Sequence, residues 1–222
     1  MTLFHGSEFK IEKPHVGGGK VTNDYGSGFY CTESEELACE WAVTQRHDGY
    51  ANRYAFDMRG LKVLNLNGEG YCVLHWLSVL LQHRTFDVRY GVATLAKAYL
   101  AENFAIDLLQ YDVVRGYRAD DSYFSFAQDF LSGTISYPQL TVAMRLGKLG
   151  EQIVLRSEAA FGRIKFRSAK AAVREVWLPA KERRDAAARM DYFDMRKTPY
   201  RLEDLTIQKI MEERIKPGDP RL

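Results

Sequence analysis

His5-Gly6-Ser7 stands near the start of the chain, and Gly28-Phe29-Tyr30 follows it. A histidine can donate, accept or relay a proton near neutral pH, and an aromatic ring offers a flat face to a ligand. Taken singly, each has an ordinary explanation: a lone His5 is more often a structural histidine, and Phe29-Tyr30 more often core. Two other groups carry acid–base or hydrogen-bonding capacity. Arg118-Ala119-Asp120-Asp121 puts consecutive carboxylates after an apolar run, where they can cap a helix or serve as acid or base. Glu151-Gln152 leads directly into Ile153-Val154-Leu155. Gly17-Gly18-Gly19-Lys20 lacks the spacing of a phosphate loop, and no strand and helix frame it as a dinucleotide fingerprint. It reads as a surface loop, which beside a cleft can act as a lid.

These segments share a wider pattern. Leu3-Phe4-His5-Gly6-Ser7, then Asn23-Asp24-Tyr25-Gly26-Ser27-Gly28-Phe29-Tyr30-Cys31-Thr32, then Ala38-Cys39-Glu40-Trp41-Ala42, resemble a bacterial family of small proteins. That family is assigned to the ADP-ribosyltransferase superfamily, on the branch where a histidine, a tyrosine and an acidic or amide residue mark three core strands. The resemblance continues through Tyr117-Arg118-Ala119-Asp120-Asp121-Ser122-Tyr123-Phe124 and Gly147-Lys148-Leu149-Gly150-Glu151-Gln152-Ile153-Val154-Leu155. It covers about residues 3–170, leaving the tail outside it, and implies an α+β fold with a split mixed β-sheet core and surrounding helices. It also implies NAD as co-substrate, no metal, and transfer of ADP-ribose to an intracellular macromolecule, either protein or nucleic acid (RNA or DNA). A cytoplasmic toxin or anti-phage defence effector, restrained by an antitoxin, fits that activity. NAD glycohydrolysis is a variant of the same site. A non-catalytic module that binds a nucleotide or a partner is the alternative of a different class.

The resemblance also implies roles for single residues. Breaking the bond between nicotinamide and ribose develops an oxocarbenium-like centre, as in glycoside cleavage. The site must hold nicotinamide, stabilise the sugar cation and keep water out. His5 would bond ribose hydroxyls or the carboxamide, and Gly6 would let the backbone approach the carboxamide with no Cβ in the way. Ser7 and Tyr25 belong to the same binding segments. Tyr30 would stack on the nicotinamide ring, while Phe29, also in the binding strand, points the other way by strand alternation. Gln152 takes the third place first and Glu151 second. An amide can bond a ribose hydroxyl but brings no negative charge. Asp121, or Asp120, would supply that charge or activate the acceptor. Arg118 would pair with the pyrophosphate, with Lys20 and Arg53 as weaker candidates.

The elements that must position these groups follow from periodicity and punctuation. Leu3-Phe4-His5 reads as an early strand, 11–25 as a loop, and 28–32 as a strand of aromatic and β-prone residues. Thr32-Glu33-Ser34-Glu35 fits a capping box ahead of a helix over 34–47. Residues 53–66 alternate as two strands about a turn at Arg59-Gly60, and helices follow near 71–84 and 91–102. Tyr111 to Val114 reads as a strand, 122–131 and 136–146 as helices, and 152–157 as a strand with a helical turn after Ser157. Val173 to Leu178 is expected as the last strand, stopped by Pro179. Helices are then expected over 181–189 and 202–215. This gives a core domain over 1–179 and a basic helical extension over 180–222.

Composition sets the outer bounds. The chain has 222 residues, 46% hydrophobic and 27% charged, which suits a globular protein with one sizeable core. No apolar run reaches the roughly 18–20 residues that cross a bilayer, so no membrane role is expected. Met1-Thr2-Leu3-Phe4-His5 has neither the basic start nor the apolar stretch of a signal peptide. Three cysteines without metal-ligand spacing suit free thiols. Residues 1–155 hold 14 Lys/Arg against 18 Asp/Glu, whereas 156–222 hold 17 against 11. A basic tail of this kind can meet nucleic acid, an acidic partner, or the acidic front of its own chain.

Overall fold

The computed structural model describes residues 1–86, 91–119, 121–146 and 150–222, with backbone alone at 121–123. The fold is α+β, with its strands split between two sheets. In the first, β1 (Thr2–Ser7) pairs antiparallel with β3 (Gly49–Phe56), and β3 with β7 (Ile164–Ala172). In the second, β2 (Phe29–Cys31), β6 (Glu151–Leu155), β5 (Val113–Tyr117) and β4 (Val63–Asn65) lie in that order, with only β4 and β5 parallel. Among the described residues, one bridge joins the sheets. Phe4 N donates to Thr32 O at 2.8 Å, and Thr32 N donates to Phe4 O at 2.9 Å. This bridge brings β1, β2 and β6 side by side.

The strand faces explain the layers. Leu3, Phe29, Cys31, Tyr54, Phe56, Ile153 and Leu155 fill the space between the sheets. On the outer face of the second sheet, Leu64, Val114 and Val154 meet a larger helical cluster. That cluster is built by α2 (Val73–His83), α3 (Val92–Asn103), α4 (Asp121–Leu131) and α5 (Tyr137–Ala143), with Trp76, Leu77, Phe126 and Phe130 at its centre. α1 (Glu35–Ala42) covers β1 and β3 through Ala38, Cys39 and Ala42. α6 (Glu158–Phe161) is a single turn capped by Ser157, whose hydroxyl accepts from Ala160 N at 3.2 Å.

Three local expectations are corrected. Ser34, not Thr32, caps α1: its hydroxyl accepts from Leu37 N at 3.2 Å, while the Thr32 hydroxyl accepts from Ser34 N. The last strand is β7, and Val173 to Leu178 instead opens α7 (Arg174–Lys197). Pro179 sits inside that helix, where it has no N–H to give the Glu175 carbonyl. A domain edge at 179 therefore falls within one continuous helix. α7 and α8 (Ile207–Glu212) are docked on the rest of the chain. The Tyr192 ring stacks on Phe126 at 3.8 Å, and its hydroxyl donates to Asp129 Oδ2 at 2.5 Å. Arg196 reaches the same carboxylate at 2.9 Å, and Arg184 forms an ion pair with Glu40. The basic tail thus meets the acidic front of its own chain. Among the described residues, no helix is long and apolar enough to cross a membrane.

Candidate functional site

His5 on β1, Tyr30 on β2 and Gln152 on β6 line one cleft of about 570 Å3. Pairing register brings the last two together. Tyr30 lies opposite Val154, so Gln152, two residues away on β6, shares its face of the sheet. Phe29 and Glu151 belong to the opposite face, although the Phe29 ring still reaches the cleft edge. The loop joining β1 to β2 forms a wall through Lys13, His15, Gly18, Gly19 and Asp24. Gly19 is required there, because a Cβ on it would come 2.2 Å from the Gly28 carbonyl oxygen. Trp41 from α1, Arg84 at the end of α2, and Arg118 after β5 complete the lining.

His5 is held as a neutral ring. Its Nδ1 lies 2.6 Å from the Tyr30 carbonyl oxygen, which can only accept, so Nδ1 carries the proton and Nε2 is left as an acceptor. Burial lowers its pKa from the ordinary 6.5, partly offset by that hydrogen bond. The ring stacks on Phe29 at 4.2 Å and 27°. Tyr30 uses its hydroxyl to brace the loop: it donates to Gly26 O at 2.6 Å and accepts from Tyr25 N at 3.0 Å. Burial pushes that phenol upward. The ring, rather than the hydroxyl, is what Tyr30 has left to offer a ligand.

The deepest polar group is a carboxylate–amide pair. Gln152 is 6% exposed, and its Nε2 donates to Asp24 Oδ2 at 3.3 Å. Asp24 is 5% exposed and also accepts from Ala119 N at 2.9 Å. Arg84 Nη1 lies 3.6 Å from its other oxygen. Burial raises the Asp24 pKa, while the Ala119 hydrogen bond, Arg84 and Arg118 pull it back. Two buried polar atoms of the lining, Gln152 Oε1 and Trp41 Nε1, have no hydrogen-bond partner among the described residues. Arg118 lays its guanidinium 4.6 Å from the Trp41 ring centroid, and Arg84 lays its own 4.3 Å from that of Phe124. The cleft therefore holds an acceptor, a donor, two arginines and an aromatic face.

Other expected site residues are placed elsewhere. Gly6 does not line the cleft; a Cβ on it would fall 2.1 Å from the Ala38 carbonyl oxygen, so glycine there admits α1 against the sheet. Ser7 donates to Phe9 O at 2.5 Å and accepts from Asn52 Nδ2 at 3.2 Å. Tyr25 is fully buried and donates to Tyr117 O at 2.5 Å, in space that Gly116 leaves open. Glu151 faces away and is bound by Arg115 and by Asn67 Nδ2 at 2.5 Å. Lys20 and Arg53 are not among the lining residues. Asp120 and the side chain of Asp121 lie outside the described residues. Asp24, Arg84 and Trp41 are the site residues that sequence reasoning missed. For Asp24 the available signal was its place in the segment Asn23 to Thr32, in the loop ahead of the strand that carries Tyr30. Among the described residues, no three His, Cys, Asp or Glu side chains are grouped to hold a metal ion.

No curated protein and no solved structure matches the chain. A family model matches residues 1–166, a span that includes β1, β2 and β6 and therefore all three strands that bring His5, Tyr30 and Gln152 to the cleft. The chain belongs to the family described as "Protein of unknown function (DUF3990)".

Proposed function

We propose that the chain is a mono-ADP-ribosyltransferase that uses NAD as co-substrate and modifies an intracellular macromolecule. The observation that carries this reading is the convergence of His5, Tyr30 and Gln152, from three adjacent strands, on one cleft. In the reaction, the bond between nicotinamide and ribose C1′ breaks and its electron pair leaves with nicotinamide. A nucleophile of the acceptor then bonds C1′ and gives up its proton to solvent or to a base. The Tyr30 ring offers a face to nicotinamide. Neutral His5 offers Nε2 to a ribose hydroxyl, and Gln152 offers Oε1 to another. Arg84 and Arg118 would pair with the pyrophosphate. In its ionised form Asp24 would supply a negative charge behind Gln152, which a neutral amide cannot.

The acceptor is a protein or a nucleic acid, and an antitoxin that blocks the cleft would restrain the activity. Tyr192 and Arg196, an aromatic and a basic residue of the tail, are engaged in docking it on the core and so do not offer a base-stacking or phosphate-binding surface. A second reading, nucleotide binding without transfer, is favoured by the amide at position 152.

Purified protein incubated with adenylate-labelled NAD and cell lysate tests these readings. The expected result is nicotinamide release and labelled macromolecule. His5→Ala and Tyr30→Ala variants that still fold should each lower release by about 100-fold. Protease and nuclease treatment then identify the acceptor class. Binding of NAD without release would favour the non-catalytic reading, and neither binding nor release would contradict both.

A further inference from the structure

We infer that Asp24 is the positioning residue for Gln152: it holds the amide in one orientation, with Oε1 left as the acceptor for a substrate hydroxyl, and when ionised it carries the negative charge that the strand position lacks. This inference rests on the NAD reading of the cleft and adds a division of labour within it.

The geometry leaves the amide one orientation. Asp24 Oδ2 already accepts from the Ala119 backbone N–H, so it meets the amide as an acceptor. With Asp24 Oδ2 3.3 Å from the amide nitrogen, the donor end of Gln152 must face it. Turning the amide round would set Oε1 against Oδ2, two acceptors in a buried place. Asp24 cannot easily yield, because the backbone N–H of Ala119 holds the same oxygen at 2.9 Å and Arg84 stands 3.6 Å from the other. The amide oxygen is thereby fixed on the opposite side, where it is buried and unpartnered among the described residues. Buried acceptors are normally satisfied. A ligand that displaces what covers this atom would bring the missing donor, and a sugar hydroxyl has the required chemistry.

The charge sits behind the contact. A carboxylate at 152 would touch the hydroxyl and carry the charge in one group. Here the two tasks are divided between β6 and the loop before β2. The negative charge of Asp24, lying behind the amide nitrogen, also polarises the amide and strengthens its oxygen as an acceptor. Gln152→Glu should therefore fail, since two carboxylates would face each other in a buried site. Combining it with Asp24→Asn exchanges the two groups and should restore function, because the amide in the loop then donates to the carboxylate on β6.

The test is nicotinamide release, with kcat and KM for NAD measured separately, in wild type, Asp24→Asn, Gln152→Glu and the double variant. Thermal melting of each serves as the folding control. For Asp24→Asn, kcat is expected to fall on the order of 10- to 100-fold, as for loss of a hydrogen bond to a charged group, with the melting temperature little changed. Gln152→Glu is expected to fall at least as far. The double variant should recover to within about 10-fold of wild type. Should Gln152→Glu fail to fold, comparison of the double variant with Asp24→Asn alone decides the same question. Asp24→Asn with wild-type kcat, or a double variant no better than the single ones, overturns the inference while leaving the NAD reading intact. A wild-type chain that neither binds NAD nor releases nicotinamide overturns that reading and this role with it.

Discussion

Glu40 and Asp24 are both buried carboxylates beside an arginine, yet their surroundings differ. Glu40 on α1 is 2% exposed and meets Arg184 on α7 in a forked pair, Nη2 to Oε1 at 2.7 Å and Nε to Oε2 at 3.0 Å. Both its oxygens are taken by the chain. Asp24 is almost as buried, but the Arg84 guanidinium stands 3.6 Å away, and its neighbour Gln152 keeps an amide oxygen with no donor among the described residues. The first arrangement is closed and ties the tail to the core. The second is incomplete within the described chain, and a polar ligand would complete it. Burial alone does not separate a structural charge from a functional one. The two sites differ in the hydrogen-bonding capacity left unfilled around them.

The contrast breaks most visibly at Arg184. Arg184→Ala strands Glu40 in the interior and should cost about 3 kcal/mol of stability by denaturant unfolding, the lower end of the range for a broken buried pair because Arg184 keeps some solvent access. Its KM for NAD should not move. Arg84→Ala should do the reverse, raising that KM by about 10-fold with a small change in stability; equal effects on both quantities would erase the distinction. A smaller effect is expected at Gly6→Ala, where the new Cβ meets the Ala38 carbonyl and α1 must shift, costing about 2 kcal/mol. Loss of NAD binding at unchanged stability would instead return Gly6 to the ligand.

The smallest effect is in pH. His5 is held below its ordinary 6.5 by burial, so the unfolded chain binds a proton that the folded chain refuses. The stability this contributes is complete above pH 6.5 and is lost as the pH falls through the lowered value. Asp24, raised by burial, has the opposite sign: its contribution is complete below 3.8 and is lost as the pH rises through its raised value. Unfolding measured at about pH 7.5 and about pH 5.5 should show a larger acid loss in wild type than in His5→Gln. Equal losses would mean that His5 titrates alike in both states.

The α+β class and most elements were legible because apolar spacing reports which face is buried. Ser157 as a cap and Pro138 in the first turn of α5 are local signals of the same kind. The failures have physical causes. β7 carries Lys165, Arg167 and Lys170 on an edge strand, so it lacks the apolar signature of a core strand, which the run Val173 to Leu178 does carry. Pro179 reads as a stop, but α7 absorbs one missing hydrogen bond because Ala188 and Tyr192 are buried further along. Tyr30 and Gln152 could be located because each lies on a strand with a regular face. Asp24 could not, because its partners Gln152, Ala119 and Arg84 come from distant parts of the chain and it sits in a loop without period. Gly6 was legible as a point of close approach, but what approaches it is a helix backbone, and no local pattern distinguishes that from a ligand.

The central claim is that this cleft receives NAD with its nicotinamide ribose against Gln152. A crystal structure with a non-hydrolysable NAD analogue tests it most directly. A ribose hydroxyl is expected within roughly 2.6–3.0 Å of Gln152 Oε1, with the nicotinamide ring against Tyr30. An analogue bound elsewhere on the chain, or seated in the cleft with the Gln152 oxygen still unpartnered, would contradict it.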